Sequence, residues 1–123
     1  MPIKPSAQDK LSRDKHRTQI FKGMAELALL RLLKDGPEYG LRILDGLREA
    51  AGLKIAEGTL YPLLYRLEKG GFIAAEWRIL DNASHPRKYY SLTEPGRAEL
   101  ETQLNDWLAI SEKLQAFLNR GDQ

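Results

Sequence analysis

The chain has 123 residues, 42% hydrophobic and 29% charged, which fits one compact domain plus an extra element and argues against wholesale disorder. It contains no cysteine, so a disulfide framework and a thiolate metal site are excluded, and no apolar run approaches the roughly 20 residues that span a bilayer. Net charge is only +2, but residues 1–93 carry +5 and residues 94–123 carry −3, a division that allows a polyanion-facing body and a tail that faces elsewhere.

Residues 1–17 show no apolar periodicity and hold Lys4, Lys10, Arg13, Lys15 and Arg17. They read as a flexible basic arm turning helical near Leu11, or equally as a solvated terminus with no partner. The segment is too polar for a secretory signal and, with the missing cysteines, points to the cytoplasm. From Thr18 to Lys34 the pattern turns helical, with Phe21, Met24, Leu27, Ala28, Leu30, Leu32 and Leu33 on a broad apolar arc that Leu29 widens further. A helix that greasy needs neighbours on two sides. It stops at Asp35-Gly36-Pro37.

A second helix is expected from Glu38 to Ala51, with Leu41, Ile43, Leu44 and Leu47 inward, ended by Gly52. A short link, Leu53 to Ala56, leads to a third helix reaching Lys69 and closed by Gly70-Gly71. Here Leu60, Leu63, Leu64 and Leu67 fall at i, i+3, i+4 and i+7, one clean buried face. Two β-rich runs follow, Phe72–Ile79 and Arg87–Leu92, around turn residues Asp81 to Pro86, and they read as a hairpin. Tyr39 and Tyr90 are expected in the core and Trp77 packed at the base of the hairpin. Thr93 caps a final helix whose first turn takes Glu94 and Pro95.

Two short helices, a tight link and a two-stranded ribbon make a winged helix-turn-helix. The fold expected is therefore mainly α with a small β-hairpin, divided into an arm (1–17), a DNA-binding domain (18–93) and a C-terminal dimerisation helix (94–123). With the leucine face of the third helix inward, Gly58, Pro62, Tyr65 and Lys69 point outward, flanked by Thr59, Tyr61 and Arg66. Hydroxyls and cations on one helix face suit phosphate and base-edge contacts; an ordinary solvated helix face is the plainer reading.

The residue strings go further. Glu57-Gly58-Thr59-Leu60-Tyr61-Pro62-Leu63-Leu64-Tyr65-Arg66-Leu67-Glu68 resembles the hallmark of the PadR family of regulators. Lys22-Gly23, Gly36-Pro37-Glu38-Tyr39-Gly40 and Arg87-Lys88-Tyr89-Tyr90-Ser91-Leu92-Thr93-Glu94-Pro95-Gly96 resemble its other signatures, in unbroken order. The resemblance implies a dimeric repressor on a palindromic operator, with Lys22 among the DNA contacts and the wing lying on the duplex. The wing adds cations near its tip, His85, Arg87 and Lys88, with Arg78 on the opposing strand. By that resemblance Arg87 and Lys88 contact phosphate and His85 lies among the DNA contacts; the alternative is edge-strand charge that blocks intermolecular pairing. One departure is Ala56, where the family places a capping side chain. The deficit is about 1 kcal/mol, and it leaves the helix start open between Glu57 and a later start capped by Thr59, with Pro62 in the first turn.

In the acidic final helix, Leu100, Leu104, Trp107, Ser111, Leu114 and Leu118 are spaced 4, 3, 4, 3, 4, a heptad seam with one polar residue. The economical answer is a twofold homodimer through this helix; folding back on its own domain is the alternative. Trp107 on that seam either fills the dimer core or, as in some PadR-like proteins, faces a small aromatic effector. No histidine cluster, phosphate loop or paired nucleophile and base points to catalysis, a metal or a cofactor. A winged helix used for protein contact remains the rival to DNA binding.

Overall fold

The structure, a computed structural model, describes residues 6–79 and 85–121, with the side chains of residues 8, 11, 12 and 14–22 outside that description. Its elements are α1 (Ala7–Lys34), β1 (Glu38–Tyr39), α2 (Gly40–Ala51), α3 (Glu57–Lys69), β2 (Ile73–Arg78), β3 (Arg87–Leu92) and α4 (Glu94–Leu118). This is the expected winged helix-turn-helix with a C-terminal helix, enlarged by one strand.

Helix α1 starts earlier than the apolar pattern indicates. Ser6 Oγ accepts from the Asp9 N–H at 3.1 Å, and the Asp9 carboxylate accepts from the Ser6 N–H at 3.3 Å. This reciprocal capping box satisfies two donors at the helix end and fixes the start at Ala7 rather than near Leu11. Lys10 and Arg13 are thus exposed on a helix, while Lys4 lies outside the described residues. At the other end Ala25, Leu29, Leu30 and Leu33 are buried, and α1 packs against α2, β3 and α4. The broad apolar arc has its neighbours on more than one side.

The expected start of the second helix at Glu38 is corrected. Glu38 and Tyr39 pair antiparallel with Tyr90 and Tyr89 as β1, and the helix begins at Gly40. The sheet order is β1-β3-β2. In α2, Ile43 and Leu47 are buried, but Leu41 is 53% exposed. At about 100° per residue Leu41 falls nearly opposite Ile43, so it cannot share that residue's inward face. Gly52, at φ 68°, ends the helix, and the Leu53 N–H reaches back to the Leu47 carbonyl at 3.0 Å.

In α3 the start is at Glu57, with Ala56 as a cap that has no side-chain hydrogen bond. The N–H groups of Thr59 and Leu60 both donate to the Ala56 carbonyl at 3.0 Å. The later start capped by Thr59 is therefore not adopted, and Pro62 sits inside the helix. Its missing N–H leaves the Gly58 carbonyl without an i+4 donor; Gly58 is exposed, so water can serve it. Leu60, Leu63, Leu64 and Leu67 are all buried, the face their spacing indicates.

The hairpin register runs from Ile73↔Leu92 to Arg78↔Arg87, and the turn residues 80–84 lie outside the described set. Thr93 ties the hairpin to α4. Its hydroxyl donates to the Gly71 carbonyl at 2.6 Å and accepts from the Gly96 N–H at 3.1 Å, while its own N–H donates to the Phe72 carbonyl at 3.1 Å. Gly96 lies so close to the Phe72 carbonyl that a Cβ there would overlap it. That contact sets the angle at which α4 leaves the domain.

Candidate nucleic-acid interface

Burying the four leucines of α3 turns the opposite side of the helix outward. Gly58, Tyr61, Pro62, Tyr65, Arg66 and Lys69 are exposed, and Thr59 is half-buried. The Lys69 ammonium sits 5.5 Å from the centre of the Tyr65 ring, the neighbour one turn earlier. Tyr61 leans across the first turn of α2, where a Cβ on Gly40 would strike its hydroxyl. A glycine there lets α2 and α3 approach closely and holds the Tyr61 ring between them.

The wing's cations are held on aromatic rings. On one face of the sheet Tyr39 and Tyr89 meet edge to face at 5.4 Å. The Arg87 guanidinium lies 4.5 Å from the Tyr39 ring centre, and that of Arg78 lies 5.0 Å from Tyr89. Arg78 and Arg87 are directly paired across the strands, a like-charge arrangement that costs stability. The rings and the Glu76 carboxylate, 3.2 Å from Arg78, offset that cost. Arg78 thus stands on the strand opposite Arg87, among the wing cations. Tyr39 is half-buried beneath Arg87 rather than in the core. Tyr90, on the other face, is buried as expected. Burial pushes its phenol above the usual 10.0, with the Lys88 ammonium nearby pulling the opposite way.

Two cations assigned to DNA have protein partners. Arg66 meets Glu26 of α1 at 3.2 Å, and Lys88 meets Glu68 of α3 at 3.6 Å. Glu26 also accepts from Gln103 of α4 at 2.7 Å. These pairs are solvent-accessible, so each contributes about 0–1 kcal/mol and exchanges readily. His85 is exposed at the start of the returning strand. The side chain of Lys22 lies outside the described residues.

Trp77 is not packed at the base of the wing. It is 66% exposed, because the hairpin carries it past the edge of the helical body. On α4 the proposed seam separates into two parts. Leu100 is 4% exposed and belongs to the domain's own core, so it is withdrawn from a free seam. Leu104, Trp107, Leu114 and Leu118 are exposed in the protomer, as are Leu108, Ile110 and Phe117 beside them. Ser111 is half-buried, and its hydroxyl donates to the Leu108 carbonyl at 3.3 Å, which satisfies it within the helix. Among the described residues no group of three His, Asp or Glu side chains could hold a metal ion, and no helix is long and apolar enough to cross a membrane.

Comparisons with known proteins show the family. Residues 29–102 match the family described as transcriptional regulator PadR-like. A PadR-like transcription factor from Bacteroides fragilis is 36% identical, with a TM-score of 0.67 over 84% of this chain and 98% of that one. A PadR family transcriptional regulator from Eggerthella lenta is 30% identical, with a TM-score of 0.77 over 96% of this chain and 97% of that one. A transcriptional regulator of Mycobacterium tuberculosis is 43% identical over 49 residues, 40% of this chain and 44% of that protein. The chain belongs to the PadR-like family and is a transcriptional regulator, not an enzyme.

Proposed function

We propose that the chain is a cytoplasmic, sequence-specific repressor that binds an imperfect palindrome as a twofold dimer. Residues 18–93 serve as the DNA-binding domain and residues 94–123 as the dimerisation helix. Each α3 enters a major groove, with Gly58, Thr59, Tyr61, Pro62, Tyr65, Arg66 and Lys69 toward the bases and backbone and Lys22, His85, Arg87 and Lys88 on phosphates. The observation that carries this reading is the outer face of α3. The core does not use it, it mixes hydroxyls with cations, and it lies beside a wing whose arginines are held on tyrosine rings.

Selection of bound sequences from a random duplex pool tests it. Enriched sites should carry two related half-sites about one helical turn apart, or a multiple of that. Enrichment of nothing above background removes the reading. In that case a winged helix specialised for protein contact takes its place, an arrangement that the pairing of Arg66 and Lys88 with the chain's own carboxylates would suit. Trp107 supports a further element of the proposal. Half-exposed on α4 with Ser111 one turn further along the same face, it fits a small aromatic effector at the dimer axis that relieves repression.

A further inference from the structure

The wing carries an apolar stripe that outruns the core it grows from. By strand alternation Ile73, Ala75 and Trp77 share one face, and Ile79 follows the strand's last residue. Ile73 is buried and Ala75 half-buried, but Trp77 is 66% and Ile79 74% exposed. Lys88 is the cross-strand neighbour of Trp77, and Tyr90 that of Ala75. Leu41 of α2 and Tyr61 of α3, both exposed, stand at the same groove as Trp77. Leu41, Tyr61, Trp77, Arg87, Lys88 and Tyr90 line an open groove of about 250 Å³ between the wing and the reading helix, and among the described residues no carboxylate lines it.

We propose that this groove seats one strand of the sugar–phosphate backbone of double-stranded DNA, with the Trp77 indole packed on deoxyribose. Arg87 and Lys88 then take the flanking phosphates. The inference rests on the DNA-binding reading above and adds to it an apolar anchor. Three observations favour this occupant. Among the described residues the lining joins apolar rings with cations and holds no acid, which matches the alternation of sugar and phosphate along a strand. The groove is continuous with the outer face of α3 through Tyr61. It is also open and smaller than the roughly 300–1,000 Å³ of cavities that enclose small ligands, so a small molecule would stay largely in water while a polymer can run through. An exposed indole is a large area to leave wet, and covering it on binding supplies affinity that salt does not screen.

The chain has two tryptophans, so Trp107→Phe leaves Trp77 as the sole indole emitter. The full-length variant is titrated with a mixed-sequence labelled duplex of about 30 base pairs, long enough for two half-sites, following Trp77 emission and duplex anisotropy together. Emission should shift or quench in step with the anisotropy. Trp77→Ala should weaken duplex binding about tenfold while leaving the slope of log K against log salt unchanged, whereas Lys88→Ala should reduce that slope by about one. Duplex binding with silent Trp77 emission, or with wild-type affinity in Trp77→Ala, overturns the inference and leaves the DNA-binding reading standing. Emission that responds to benzoate and not to the duplex overturns it in favour of a small-anion site. No anisotropy change at any salt concentration removes both readings.

Discussion

Replacing Leu104 and Leu114 together by aspartate tests the dimer at its seam. In the single protomer these residues are 39% and 51% exposed, so each leaves about half its surface for a partner helix. Covering that half is worth about 1 kcal/mol, half of the roughly 1.5–3 kcal/mol for full burial of a leucine. Two positions on each of two helices amount to about 4 kcal/mol, close to three decades in Kd. A micromolar dimer would therefore weaken to about millimolar from lost apolar contact alone. The carboxylates add several kcal/mol apiece if they stay charged and unpaired in the seam. Sedimentation equilibrium should show wild type as a dimer at micromolar concentration and the double variant as a monomer. The domain should survive, because Leu100 and the rest of the core are untouched, and far-UV circular dichroism checks that. A wild-type protein that stays monomeric at high concentration, or a double variant that still dimerises like wild type, refutes the seam.

Arg87→Ala and Lys88→Ala should each flatten the salt dependence of DNA binding by about one unit with sequence preference nearly intact, while Thr59→Ala or Tyr61→Ala should lower the ratio of specific to nonspecific affinity. Unchanged binding in all four would shift the reading to protein contact. Gly96→Ala drives a Cβ into the Phe72 carbonyl, a rigid backbone group, and should cost about 1–3 kcal/mol or more in denaturant unfolding. Gly58→Ala meets nothing within contact and should instead stabilise the fold by roughly 0.5–1 kcal/mol; equal effects from the two would contradict the packing described. If an aromatic effector acts at the dimer axis, its quenching of tryptophan emission should persist in Trp77→Phe, vanish in Trp107→Phe and accompany DNA release. A broad panel of phenolic and planar cationic compounds without effect on operator affinity would leave Trp107 as packing alone.

Periodicity reads faces well and edges poorly. The leucines of α3 lie on one face because their spacing leaves no other arrangement, and all four are buried. Trp77 also lies on the apolar face its alternation indicates, yet it is exposed, because alternation does not say where the helical body stops covering the hairpin. Leu41 fails differently: it is one turn from Leu44 but nearly opposite Ile43, so grouping all the leucines of α2 inward asked too much of one face. The two residues of β1 are too few to show any period. The start of α1 was legible in principle, since Ser6 and Asp9 have capping-box spacing, but the signal lies roughly three turns before Phe21, the first apolar residue of the regular pattern.

What no spacing rule could supply is the set of partners that the basic residues find within the chain. Arg66 meets Glu26 forty positions away, and Lys88 meets Glu68 on another element. Lys69 leans on Tyr65, and Arg87 on Tyr39. A sequence count treats these four as loose charge on a modestly basic face, whereas the fold gives each a neighbour. Exposed ion pairs are worth about 0–1 kcal/mol, and a ring contact at the surface is about as weak. A phosphate therefore displaces such partners at little cost. Contacts this weak order the cations only in part, so most of the entropy of fixing them, up to roughly 1.5–2 kcal/mol for each Lys or Arg, is met when a phosphate binds.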